Sequence, residues 1–264
     1  MQADYHVHSV QFLSIHGDIY VQGQMATDDN LIILSQGDLK VTGRLVDASN
    51  ATLYATATHA LGELTCIYKP IAGERPLWDF ADGSLAHREY AAYLVSEDLG
   101  FHIVPLTILR DGPYGFGMVQ EWITIDEGID LGSFFSTDHP QLRMMALFDA
   151  IINNTDRKIG HLLPLDIDQV LGCDHGVTFH PEDKLRTVLW QWAGSPLVER
   201  ELSIVERLLR QLNNEVEMGL LEELNTLITP AEIQSLRQRC TSLLTNKTFP
   251  EPNPDWPHIP WPPF

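Results

Sequence analysis

The chain has 264 residues, enough for one large domain or two lobes around a cleft, and 44% of them are hydrophobic, which excludes global disorder. Its formal net charge is −19, from 17 basic and 36 acidic residues. With no Lys/Arg cluster to offset it, that charge disfavours nucleic acid and anionic membrane surfaces at long range and favours solubility.

No apolar run approaches the roughly 18 residues of a membrane span, and the first residues lack a signal-peptide pattern, so no integral membrane contact is expected. Cys66, Cys173 and Cys240 are widely spaced, form no zinc pattern, and lead us to expect a reduced, cytoplasmic protein. Oligomeric state leaves no mark in the sequence.

Residues 1–24 show weak strand character at Phe12, Ile15, Ile19 and Val21. Met25 precedes Ala-Thr-Asp-Asp-Asn, which suits a helix start, followed by Leu31–Leu34, so Met25 reads as the biological start, the first 24 residues as an extension, and residues 1–37 together as extension and short helix. From Asp38 the apolar period becomes two. Leu39, Val41 and Leu45, then Leu53–Ala57, then Leu64–Lys69 ending at Pro70 predict an antiparallel three-strand meander. Residues 71–84 read as a loop. A helix from about Leu85 to Glu97 carries Ala86, Tyr90, Tyr93 and Leu94 on one stripe and stops at Gly100. Strands at Val104–Arg110 and Gly117–Ile123 flank the turn Asp111-Gly112-Pro113 and complete a small lobe of residues 38–122.

Residues 123–248 read as a mainly helical lobe. A helix over 139–152 is followed by a short hairpin at Leu162-Leu163 and Val170-Leu171. The stripe from Val198 to Leu227 predicts one long helix, or two broken at Asn213-Asn214. Thr229-Pro230-Ala231-Glu232 is a capping box that opens a last helix. The tail, 249–264, holds seven prolines with Trp256, Trp261 and Phe264, so it is not helical and is expected to dock on the large lobe. The fold class is therefore α+β.

Several side chains suit phosphoryl transfer, in which one carboxylate orients the attacking group and another holds a metal on the phosphates. Lys69 closes the third strand and suits a phosphate contact, though an exposed strand-end Lys looks the same. Glu89 on the next helix can reach back to it, or stand solvated beside Arg88. Ser49 and Asn50 lie in the first turn of the meander, where small polar residues can turn backbone N–H groups toward phosphates. Asp156 follows a helix end and is flanked by Arg157 and Lys158, which would stabilise its anion while it takes a hydroxyl proton. Lys158 is a candidate for the transferred phosphate. His161 is either a metal ligand or a hydrogen-bonded structural His, and Asp174, before His175-Gly176, is the best metal carboxylate.

Taken together, Tyr68-Lys69-Pro70, Glu89 through Gly100, Val104-Pro105, Asn154-Thr155-Asp156-Arg157 and Asp174-His175-Gly176 resemble the phosphatidylinositol 3-/4-kinase superfamily, nearest its type II 4-kinases. The stretch Glu74–Phe80 and the Trp/Pro-rich tail are similar to an actinobacterial family described as related to those kinases. The resemblance covers about residues 38–264. It implies a bilobal protein-kinase-like fold with an antiparallel-sheet N-lobe, a mainly helical C-lobe, and ATP with Mg²⁺ or Mn²⁺ in the cleft. It also implies that Lys69 binds phosphates, Glu89 pairs with it, Asp156 is catalytic, Asp174 holds metal, and Gln120, Glu121 and Trp122 lie where a hinge meets adenine. One departure stands out: Asp-Arg-Lys-x-x-His replaces the superfamily's Asp-Arg-His-x-x-Asn, which puts His161 at a metal ligand's place and Lys158 at a histidine's. The implied function is an ATP-dependent kinase whose acceptor is unknown and is as readily a soluble small molecule or a protein as a lipid. The alternatives are a nucleotide-binding pseudokinase scaffold and a kinase-fold enzyme that transfers AMP.

Overall fold

The structure is a computed structural model that describes residues 21–45, 50–216 and 219–264. Helix α1 (Val21–Gln36) begins ahead of Met25 rather than after it. The weak strand expected before it, up to residue 20, lies outside the described residues, as does Ser49.

Five strands form one antiparallel sheet: β1 (Asp38–Arg44), β2 (Leu53–His59), β3 (Gly62–Pro70), β4 (Thr107–Gly112) and β5 (Gly115–Glu121), in the order β1-β2-β3-β5-β4. Alternation decides its two faces. Ala55, Ala57, Cys66, Tyr68 and Val119 are buried under Ile33 and Leu34 of α1, which leaves Lys69 on the opposite face.

β4 starts later than the apolar run suggests. The backbone N–H groups of Ile103 and Val104 donate to Ser96 Oγ at 3.0 and 3.3 Å, so they are committed to α2 (Leu85–Asp98) and not to a strand ladder.

Below the sheet lies the helical part: α3 (Leu131–Phe134), α4 (Pro140–Ile152), α5 (Glu199–Leu212), α6 (Leu220–Leu227) and α7 (Pro230–Asn246), with a hairpin β6 (Leu162–Pro164) and β7 (Val170–Gly172). The long stripe from Val198 is thus two helices. Asn214 takes a left-handed backbone after α5, and Gly219 (φ 77°) opens α6. Thr229 caps α7 in the expected box with Glu232. Met145, Phe148, Ile152, Val205, Leu208 and Leu236 belong to one large core that also takes in Ala91, Ala92 and Val95 of α2. α2 therefore spans both halves, with its first turns at the cleft between them. Among the described residues, no helix is long and apolar enough to cross a membrane.

Candidate active site

Lys69 stands near the end of β3, paired across the ladder with Met118. Its Nζ lies 2.6 Å from Glu89 Oε1 and 2.8 Å from Asp174 Oδ1. Glu89 is not solvated: it is 1% exposed, and its second oxygen accepts the backbone N–H of His175 at 2.8 Å. Burial works to lower the Lys69 pKa, but Asp174 and Glu89 outweigh it and hold the ammonium above the usual lysine range. The same Lys69 charge holds the Asp174 carboxyl well below the usual carboxylate range. Burial pushes the Glu89 carboxyl up, against the pull of Lys69. Asp174 sits in a left-handed backbone (φ 63°), a conformation Asp tolerates better than most residues but still at some cost, which marks it as a functional candidate.

Asp156 is placed by the two asparagines before it. Asn153 ends α4 in a left-handed backbone (φ 54°). Its Nδ2 donates to the carbonyls of His180 (2.9 Å) and Glu182 (2.6 Å), and its Oδ1 accepts Lys184 N–H (3.1 Å). Asn154 donates to Asp149 Oδ1 and accepts the N–H of Asp156 at 3.0 Å. The Asp156 carboxylate meets Lys158 Nζ at 3.2 Å, as expected. Its second cation is Arg186, with Nη2 at 3.3 Å, and not Arg157. Burial raises the Asp156 pKa, while Lys158 and Arg186 pull it back.

Arg157 turns into the core instead. It is 0% exposed, forms an ion pair with the fully buried Asp149 at 3.0 Å, and donates Nη1 to Cys173 O at 2.9 Å and Nη2 to His175 Nε2 at 2.6 Å. Arg157 thus grips the residues on both sides of Asp174 and fixes the Asp156 loop against the Asp174 loop. Asp149 and Arg186 are site-building residues that the motif reading missed, and Arg157, expected beside Asp156, serves the core instead. The apolar surroundings of Asp149 and the distance of Arg186 in sequence carry no sign of the role.

His161 lies beside Asp174. Its Nδ1 accepts Lys158 N–H at 3.3 Å, which leaves the ring proton on Nε2, and Nε2 lies 3.4 Å from Asp174 Oδ2. Burial pushes its pKa down to about 4, so the ring is neutral near pH 7. In this tautomer Nε2 presents a proton to Asp174 and no lone pair to a metal. Ligation would require the proton on Nδ1, against the Lys158 N–H.

The remaining candidates lie farther out. Among the described residues of the first turn, the Ala51 N–H is bonded to Gly73 O and the Thr52 N–H to Asn50 O, so neither is free for a phosphate. Asn50 does line the cleft, with its Oδ1 on Arg75 N–H at 2.9 Å. Gln120 is buried and donates to Thr107 Oγ1 at 2.8 Å. Glu121 accepts from Asn30 at 3.0 Å, and Trp122 packs edge-on to Tyr54 while its N–H bonds Thr65 O. None of these three lines the cavity that holds Lys69.

That cavity, about 320 Å³, brings together Lys69, Glu89, Asp156 and Asp174. No cluster of three or more His, Cys, Asp or Glu side chains able to hold a metal occurs among the described residues. Mg²⁺ that keeps its waters and takes phosphate oxygens needs only one or two protein carboxylates, and Asp174, half-exposed to the cleft, supplies one. The donor set fits an ion carried by a nucleotide and not an ion caged by protein.

No protein-family model matches the chain. The Golgi casein kinase crystallised with Mn/ADP bound aligns over 84% of this chain and 75% of its own, at 13% identity and a TM-score of 0.56, which shows a kinase-like fold here. The Helicobacter pylori proinflammatory kinase CtkA aligns over 82% of this chain and 94% of its own at 11% identity, with a TM-score of 0.47. In sequence, Protein Rv2133c of Mycobacterium tuberculosis (strain ATCC 25618 / H37Rv) is 44% identical over 272 residues, spanning 90% of this chain and 96% of that protein. At that identity and coverage, the chain belongs to the family of Protein Rv2133c.

Proposed function

We propose that the protein is an ATP-dependent phosphotransferase of the type carried by phosphatidylinositol 3-/4-kinases. The observation that carries this reading is the convergence of Lys69, Glu89, Asp156 and Asp174, from four separate stretches of sequence, on one cavity. Lys69 is a point charge for the nucleotide's phosphates, held in place by buried Glu89. Asp174 is the carboxylate for a phosphate-bound Mg²⁺ or Mn²⁺, and the ion, when present, neutralises charge on the phosphates. Asp156 orients the acceptor hydroxyl and takes its proton as the new O–P bond forms and the bond to the β–γ bridging oxygen breaks. Lys158, 3.2 Å from the Asp156 carboxylate, supplies a cation for the moving phosphoryl group, and His161 orients Asp174 through its Nε2 proton. Manganese and ADP in the Golgi casein kinase structure support nucleotide and divalent metal as the ligands of such a cleft.

The test is incubation with γ- or α-labelled ATP, Mg²⁺ or Mn²⁺, and lipid, protein and metabolite pools, beside Asp174→Asn. Transfer from the γ position that is lost in the variant supports the proposal. ATP binding without turnover makes the protein a nucleotide-holding scaffold, a reading favoured by His161 where a carboxamide oxygen is expected. Transfer from the α position makes it an AMP-transferring enzyme.

A further inference from the structure

The cavity at Asp156 is walled by groups that phosphoryl transfer does not require. One wall is the 71–84 loop between β3 and α2. The other includes Arg186 and, from the tail, Trp256. Lys184, 3% exposed, joins them: Nζ lies 2.9 Å from Asp79 Oδ2, 4.5 Å from the centre of the Trp78 ring and 5.1 Å from that of Trp256. One cation thus holds two indoles at the mouth of the cavity. Trp78 remains 84% exposed, and the buried Trp256 indole N–H has no hydrogen-bond partner among the described residues.

The carboxylates in these walls are already matched. Glu74 accepts the first N–H groups of α2, from Leu85 and Ala86, at 3.1 and 2.9 Å. Asp79 is paired with Lys184, Glu89 and Asp174 with Lys69, and Asp156 with Lys158 and Arg186. Arg75, an exposed residue in a wall of the same cavity, has no ion pair or side-chain hydrogen bond among the described residues, although Asn50 fixes its backbone. Arg75 is exposed, so its charge is open to an anion that enters the cavity, and the wall carboxylates do not compete for it. The volume is at the small end of ligand cavities.

We propose that the part of this cavity lined by Asp156, Arg75 and Trp78 is the acceptor site, next to the part that Lys69 and Asp174 give to the nucleotide, and that the acceptor is a small hydroxylated molecule with an anionic group of its own. The hydroxyl lies at Asp156, the phosphate or carboxylate on Arg75, and the body against the exposed Trp78 ring, since Lys184 fills the space between the two indoles. The inference rests on phosphotransfer at Asp156. A protein surface enters an open-mouthed cavity of this size with a side chain or two, and a bilayer does not enter it.

The experiment uses the full chain, γ-labelled ATP and Mg²⁺ or Mn²⁺, with a bacterial extract split into a protein retentate, an anion-exchanger flow-through and an anionic small-molecule eluate, beside phosphatidylinositol vesicles. Label is expected in a compound of the anionic eluate. Arg75→Gln is expected to raise the KM for that compound roughly tenfold or more, the effect of losing one charged hydrogen bond. Label from the flow-through, the retentate or the vesicles overturns the proposal. So does release of γ-phosphate to water with no labelled product in any fraction, or a rise in the KM for ATP in place of the acceptor's. Absence of any γ-phosphate release or transfer under all conditions overturns instead the phosphotransferase reading beneath it.

Discussion

Lys69→Met removes the cation between two carboxylates and tests the charge arrangement without assuming any substrate. The Lys69 and Glu89 side chains are 19% and 2% exposed, so the pair is well shielded from solvent. Removing one partner of such a pair costs about 3–5 kcal/mol, because the other is left as a buried unpaired charge. For a chain of this size that is a drop in melting temperature of roughly 10 °C. The loss should depend on pH. Burial already raises the Glu89 carboxyl and Lys69 restrains it, so in the variant the folded-state pKa rises further above the unfolded one, about 4.3. Between those two values the folded state binds more protons, and the variant's stability falls as pH rises through that window. Asp174 behaves in the opposite sense in the native protein: its depressed pKa contributes stability that is present above about pH 3.9 and lost only below it. Between pH 7.5 and 5.5, then, the native protein is little affected through Asp174 while the variant recovers. Urea unfolding at the two pH values should show the gap narrowing at pH 5.5. Lys69→Met/Glu89→Gln, which removes both charges and keeps an acceptor for His175 N–H, should be more stable than the single variant at pH 7.5. A gap that is equal at both pH values, or a double variant no more stable than the single one, refutes the reasoning.

Asp156→Asn should lower kcat by about 10²–10⁴ with little change in melting temperature, since the side chain faces the cleft, and because burial raises its pKa the native kcat should fall on acidification at a pH above the usual Asp value of about 3.9; normal turnover by the variant refutes the general-base role. With Nε2 carrying a proton, His161→Asn should leave the ratio of Mn²⁺- to Mg²⁺-supported rates unchanged, whereas a shift toward Mg²⁺ on replacing nitrogen by oxygen would show that the imidazole ligates the metal. Arg157→Met leaves Asp149 as a fully buried unpaired charge and should cost about 3–5 kcal/mol in urea unfolding, with Arg157→Met/Asp149→Leu recovering part of it; a single variant within about 1 kcal/mol of native refutes the buried-pair account.

What could be read from the sequence follows from which interactions are local. The period-two runs at Leu53–Ala57 and Leu64–Lys69 and the Thr229–Glu232 box depend on neighbours a few residues away, and the structure has β2, β3 and the α7 cap there. Ile103 and Val104 look like strand residues, but their N–H groups are claimed by Ser96 on α2, a tertiary contact that no local pattern encodes. α3 is four residues long, too short to show a helical period.

The site divides along the same line. Asp156 and Arg157 are adjacent, and adjacency suggested that the arginine balances the aspartate. The backbone there is extended: Arg157 forms a parallel bridge with Thr187, its N–H bonding Arg186 O while its carbonyl accepts Val188 N–H. Successive side chains of an extended segment point to opposite faces. If Asp156 faces the cleft, Arg157 must face the core, and there it finds Asp149. The cation that replaces it beside Asp156 comes from the neighbouring segment, where Arg186 precedes the bridge residue Thr187 as Asp156 precedes Arg157. A parallel bridge thus sets the counter-ion across the ladder and 30 residues away, and frees Arg157 to bind the two loops that carry Asp156 and Asp174 together.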